Sequence, residues 1–191
     1  MNDIIIRDEV ETTQIESHGS IKIWRVNFKT GEKELLVNKP NTILYQGADI
    51  LAAALVGQNG SQISHFYVGY NISGGFSGDA TAVDKTTPAF RKDANFGYLR
   101  IPLTYPASFF NDPSYSNNIP IFSILLSNAA TYTVAGSPTF NTSAKIFEIG
   151  LVAASTGDIT GDKVFSRARF TPITNDPSYN LTIAWGVRFT A

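Results

Sequence analysis

The chain has 191 residues, 43% hydrophobic, 16% charged and 12% aromatic, with a net charge of −1 and no cysteine. The absence of cysteine excludes disulfides, thiolate nucleophiles and cysteine-ligated zinc, and the balanced charge offers no basic stripe for a nucleic acid. No apolar run approaches the ~18 residues of a membrane-spanning helix, and Met1–Arg7 lacks the basic-then-apolar order of a secretory signal.

Residues 1–19 are polar and mixed, apart from the apolar trio Ile4, Ile5 and Ile6. They are expected to form an N-terminal arm ahead of a single domain, residues 20–191. Ile21 to Phe28 alternates in the two-residue period of a strand. Lys29-Thr30-Gly31-Glu32 supplies a turn and Glu34 to Val37 runs back, which predicts a hairpin. The segment Asn41–Gly57 has the only convincing helical character. Leu51, Ala54 and Leu55 form one apolar stripe, Asn41 and Thr42 offer caps, and Gly57 suits the left-handed stop. The helix is expected over about Tyr45–Val56, with its Leu51/Leu55 face on the β-body.

Ile63–Tyr70 reads as the next strand. Asn71–Asp93 is rich in Gly, Ser, Thr and Asp and reads as a long loop, of the kind that often carries contacts. Strand candidates follow at Gly97–Tyr105, Ile119–Leu126, Lys145–Ala153, Val164–Phe170 and Leu181–Phe189. Seven to nine such strands separated by Gly, Pro and Asn turns predict an all-β fold, a β-sandwich or jelly-roll-like body with one short α-helix. The pattern does not choose between those topologies.

The chemistry-bearing residues are sparse. His18 and His65 have no cysteine or acidic motif to make a triad or a zinc site. Asp158 and Asp162 could donate oxygens to Ca²⁺, but two carboxylates off the EF-hand spacing read first as a hairpin turn. Ser73–Gly78 is glycine-rich without the Gly-Lys-Ser/Thr of a phosphate loop. A carboxylate pair for glycoside cleavage would meet only in the fold. Asn-x-Ser/Thr sequons at Asn71, Asn141 and Asn180 carry little weight without a secretion signal. The expectation is therefore no catalytic residues, no cofactor and no metal.

A short repeat, Asn111-Asp112-Pro113-Ser114-Tyr115 and Asn175-Asp176-Pro177-Ser178-Tyr179, precedes two apolar strands. Asn, Asp and Pro make it a turn corner. Tyr115 and Tyr179 are also candidate partner contacts. So are Phe76 and Phe90, isolated aromatics in the polar loop, and Ile4, Ile5 and Ile6, which could add a strand to a neighbour's sheet edge.

The order of motifs carries a resemblance. Gly19–Phe28 and its hairpin precede Asn41-Thr42-Ile43-Leu44-Tyr45-Gln46-Gly47-Ala48-Asp49-Ile50-Leu51, then Phe66-Tyr67-Val68-Gly69, Phe147-Glu148-Ile149-Gly150-Leu151, Val164-Phe165-Ser166-Arg167 and Leu181–Phe189. This order resembles small virion structural proteins of tailed bacteriophages, a label shared by tail fibres, tail-associated proteins and capsid accessory proteins. Fibre shafts need heptads, collagen triplets or stacked repeats, none of which occurs here. The resemblance then implies a non-catalytic capsid cement or decoration protein that bridges neighbouring shell subunits, in a virion assembled in the host cytoplasm. Its partners would be the major capsid protein or other virion proteins, and further copies of itself in a homo-oligomer, with no nucleic acid and no membrane. The alternative is a tail-associated or fibre-tip protein that serves as an adaptor or binds host receptors or glycans. A third class, a glycan depolymerase, would need a groove of aromatics and carboxylates.

Overall fold

A computed structural model describes residues 16–58, 62–73, 94–103, 121–127, 132–153 and 162–190. In chain order the elements are β1 (Glu16–Asn27), β2 (Lys33–Ile43), α1 (Tyr45–Leu55), β3 (His65–Asn71), β4 (Phe96–Pro102), β5 (Ile121–Leu126), β6 (Lys145–Ala153), β7 (Lys163–Thr174) and β8 (Tyr179–Thr190). The strands form one sheet in the order β4-β3-β6-β7-β2-β1-β8-β5, with every pairing antiparallel. The fold is all-β with one short helix, as the composition and periodicity predict. The sheet is a single curled one, where the sequence leaves open a sandwich or a jelly roll.

The β1–β2 turn is built by its own polar groups. The Asn27 side chain accepts from the backbone N–H of Lys29 (2.9 Å) and Thr30 (3.1 Å), and Gly31 takes the left-handed conformation at φ 73°. β2 is the strand that joins the two halves of the sheet. Its residues Lys33 to Asn41 pair with β1, whereas Thr42 and Ile43 pair with Arg167 and Ser166 of β7. This overturns the expected helix cap at Asn41 and Thr42. Both are strand residues, the helix boundary is Leu44, and no side chain caps it. Ladder pairing outweighs a local preference for capping. The expected stop holds, since Gly57 sits at φ 71°.

The curl brings the two halves face to face. Phe66 of β3 and Trp185 of β8 lie far apart in the strand order, yet their rings meet edge-on at 6.3 Å. The inner face of the β2-β1-β8-β5 half carries the aligned row Val37, Ile23, Ile183 and Ile124. Opposite stand Phe66, Val68, Leu99, Ile149, Leu151 and Phe165. Each such side chain contributes about 1.5–3 kcal/mol when fully buried.

Helix α1 attaches through β7. A register shift between β6 and β7 leaves Phe165 as a bulge, and the first turn of the helix satisfies it. The Phe165 carbonyl accepts from Leu44 N–H (3.0 Å), and Val164 N–H donates to the Gln46 side chain (3.0 Å). Gly47 permits this approach, because a β-carbon there would collide with the Phe165 carbonyl oxygen. The buried helical residues are consequently Gly47 and Ile50, with Leu51 packed partly on the core. Leu55, expected on the buried face, is 88% exposed. The close contact at Gly47 sets the helix rotation, and it turns Leu55 outward.

Candidate functional site

The two outward faces of the sheet differ in chemistry. On the β4-β3-β6-β7 half, register places Arg100, Tyr67, Gly150, Arg167 and Thr42 in one row across five strands. The adjacent row is Tyr98, Gly69, Glu148 and Arg169. These residues alternate with the core positions, so they point away from it. Most of this face is nonetheless closed off from solvent: Tyr67, Tyr98, Glu148 and Arg167 are buried, while Arg100, Arg169 and Thr42 are partly exposed.

Burial forces each charge on this face to find a partner. Arg169 donates from Nε to the Glu148 carboxylate, and Arg167 Nε lies 3.8 Å from the same oxygen. Lys39 of β2 donates to the Arg169 carbonyl oxygen, which adds a cross-tie between β2 and β7. A second centre forms around Asp162, just before β7. Its carboxylate accepts from the Tyr67 hydroxyl through one oxygen and from Arg100 Nη2 (2.9 Å) through the other. The Tyr67 and Tyr98 rings lie against each other at 5.1 Å, in a small apolar cluster with Leu44, Val152 and Val164.

The titration behaviour follows from this packing. Burial, then the hydrogen bond to Asp162 and its negative charge, push the Tyr67 phenol well above the ordinary tyrosine range. Burial also raises Tyr70, whose hydroxyl donates to the Pro138 carbonyl. For His65, burial and then the Arg100 charge lower the pKa, against a smaller opposing pull from Asp162; its Nδ1 lies 2.9 Å from the Ser64 hydroxyl. The phenol and the imidazole are both pushed toward their neutral forms, and both carboxylates are bound to arginines. These contacts fasten strands and the approach to β7 together.

The other outward face, on the β2-β1-β8-β5 half, is open. Register aligns Leu35, Trp24, Thr182 and Leu125 in one row across all four strands. Leu125 is 66% and Leu35 48% exposed, and Trp24 is half-buried. The neighbouring rows put exposed Lys22 on one side and exposed Lys33 on the other, with no carboxylate among the described side chains of this face. The edges of the sheet differ as well. Residues 132–134 lie along β4, with Arg100 N–H donating to the Tyr132 carbonyl (2.9 Å) and Val134 N–H to that of Tyr98 (3.1 Å). Among the described residues, β5 pairs only with β8.

Of the residues proposed from sequence as partner contacts, the structure describes Tyr179 alone. It opens β8 opposite Asn27, and the Arg25 guanidinium covers its ring at 4.6 Å from the centroid. Its turn behaves as the repeat predicts. The Asp176 side chain accepts from Ser178 N–H (2.7 Å), and Asn175 donates to the Asn141 carbonyl (2.8 Å). Ile4, Ile5, Ile6, Phe76, Phe90 and Tyr115 lie outside the described residues, as does Asp158. Asp162, weighed as a Ca²⁺ ligand, instead holds Arg100 and Tyr67. No group of three metal-ligating side chains occurs among the described residues.

The buried charges were not singled out from sequence. Their signal is there, because Glu148, Arg167 and Arg169 interrupt apolar runs at strand spacing, and opposite charges in two such strands can pair across them. The outward apolar row leaves a weaker trace. Trp24 and Leu125 each sit one residue from a core position, and only the register shows that they align. No protein-family profile, curated protein or solved structure matches the chain.

Proposed function

We propose that this chain is a non-catalytic structural protein of a tailed-bacteriophage virion, a capsid cement or decoration protein that bridges neighbouring shell subunits. The observation that carries the reading is the contrast between the two outward faces. One is closed by ion pairs that tie its strands together, and the other presents an open apolar row between lysines. An exposed apolar row rimmed by polar groups is the anatomy of a contact surface. The motif order in the sequence supports the assignment to a virion. A protein that binds only the assembled shell stabilises it by mass action, without any reaction chemistry.

The test is localisation. Electron cryomicroscopy of purified particles should place this density at junctions between shell subunits, and particles lacking it should release their contents at lower temperature. Density at the tail instead would favour the adaptor or receptor-binding alternative. Full activity and stability of particles without it would remove the structural role.

A further inference from the structure

We infer that the outward face of the β2-β1-β8-β5 half takes a protein partner whose docking surface is apolar at its centre and acidic on both flanks, an inference that rests on reading this face as the contact surface.

The face itself prescribes that chemistry. The row Leu35–Trp24–Thr182–Leu125 crosses four strands, about 14 Å at the usual strand spacing. Lys22 stands two residues along β1 to one side of this row. Lys33, opposite Val26, stands two residues to the other side, so each lysine is about 7 Å from the row. The positions that share the lysine rows are neutral: Asn38, Ala184 and Ser123 beside Lys22, and Val26 and Asn180 beside Lys33. The carboxylates nearest Lys33 in sequence are engaged elsewhere. Glu34 falls on the opposite side of β2, where Arg25 Nε donates to it (3.1 Å), and Glu32 accepts from the Thr30 hydroxyl (3.2 Å). No ion pair among the described residues reaches Lys22 or Lys33. Carboxylates on a partner would meet both, and unlike charges around an apolar centre fix register.

The same sign on both flanks argues against a second copy as the occupant. Two copies stacked face to face about a two-fold axis meet in one of two ways. An axis along the strands lays Lys22 over Lys22. An axis across them brings Lys22 within about one strand spacing, ~5 Å, of the other copy's Lys33. Like charges meet in both cases, which suppresses the pairing. A lipid bilayer fits less well too, since it needs a protruding apolar surface. Here Trp24 is half-buried and Thr182 interrupts the row.

The Lys22→Glu/Lys33→Glu chain can stand in for the partner, because it keeps the apolar row and places carboxylates on both flanks. Both positions are exposed, so its circular dichroism should match the parent. Sedimentation equilibrium of the two proteins, separately and mixed, is the test. Neither alone should show association that Leu125→Asp changes. The mixture should form a one-to-one complex that weakens as salt rises. Leu125→Asp in both proteins should weaken that complex by roughly tenfold or more, given the apolar area lost. Lys22→Arg/Lys33→Arg in the parent should retain it. The inference is overturned if the mixture forms no complex, or one indifferent to salt and to Leu125→Asp. It is overturned equally if the parent alone associates in a way that Leu125→Asp abolishes, which makes a second copy the occupant. Flotation of the parent with phosphatidylserine vesicles, lost in Leu125→Asp, would make a bilayer the occupant instead. These results speak only to the chemistry of the partner; absence of the chain from purified particles is what would remove the virion reading.

Discussion

The two outward faces of this sheet sit on one continuous set of strands, yet they solve opposite problems. Beyond the β4-β3-β6-β7 half, charged and phenolic groups are buried or partly buried, and each is tied to another: Glu148 to Arg167 and Arg169, Asp162 to Arg100 and Tyr67. Beyond the β2-β1-β8-β5 half, the apolar side chains Leu35 and Leu125 stand in solvent. Buried ion pairs contribute little net stability but cost much to break, so they enforce one arrangement of strands. Exposed apolar rows gain their free energy only on contact. On the function proposed above, the closed face serves specificity of fold and the open face is the one offered to a partner.

The largest expected effect tests the closed face. Glu148→Gln removes the carboxylate shared by Arg167 and Arg169, leaving buried positive charge without it. The loss should be about 3–5 kcal/mol in urea denaturation. A comparable charge change on the open face, Lys22→Glu, should stay within about 0.5 kcal/mol. Similar effects at the two positions would erase the contrast between the faces.

Helix α1 repeats the contrast on a smaller scale, because it too has one closed and one open side. Ile50→Ala should cost about 2–5 kcal/mol, as for other buried aliphatic truncations. Leu55→Ala should change stability by less than about 0.5 kcal/mol. Gly47→Ala is the sharper case. It raises helix propensity by about 1 kcal/mol, but the new methyl group meets the Phe165 carbonyl. Overpacking of this kind costs about 1–3 kcal/mol, so the variant should melt at lower temperature. A more stable Gly47→Ala protein would mean that the helix does not approach β7 so closely.

These positions show what the sequence could and could not reveal. Lys145–Ala153 was legible to the residue, because an apolar strand of that length between polar turns has few alternatives. The β1–β2 hairpin was legible from Gly31 and the alternation on either side. The start of the helix was not, because Thr42 and Ile43 are claimed by β7, a strand more than 100 residues further along the chain. Leu55 was misplaced because periodicity defines candidate stripes, and a tertiary contact at Gly47 chooses among them. The ionic face depends on which strands are neighbours, and the order β3-β6-β7 is not written in local pattern. Candidate contacts at Tyr115 and Tyr179 rested on a repeat that encodes a turn. In its described copy Asp176 holds the turn, and Asn175 ties it to the Asn141 carbonyl of another segment.

Tyr67→Phe isolates one link of the closed face. It deletes the hydroxyl donated to Asp162 and keeps the ring against Tyr98. A hydrogen bond to a charged group accounts for about 1.5–3 kcal/mol. The parent also carries an alkaline signature. With the folded phenol pKa raised, the native state retains a proton that the unfolded state releases above pH ~10. Stability is then intact below pH ~10 and falls as pH rises beyond it. Tyr67→Phe should flatten that fall, and Tyr70, whose phenol is also raised, contributes to what remains. An unchanged alkaline slope would place the Tyr67 hydroxyl in contact with water rather than with the carboxylate.

The smallest effect marks where the closed face ends. His65 lies in the row beside Tyr67, next to Val152 and Pro102, and it is only partly buried. Burial and Arg100 lower its pKa, while Asp162 draws it the other way. Sign follows from proton binding. Between the folded pKa and ~6.5 the unfolded state holds more protons, so stability is complete above ~6.5 and declines as pH falls through that window. Asn at position 65 cannot titrate, and it keeps a polar group near Ser64. Urea midpoints at pH 7.5 and pH 5.5 should therefore converge in His65→Asn more than in the parent, by a margin smaller than any change above. The acidic groups of the chain titrate in both proteins, so their contribution cancels in the comparison. If the two proteins lose stability equally, the imidazole is solvated like a free histidine. The closed face would then stop at Tyr67, with His65 belonging to the rim.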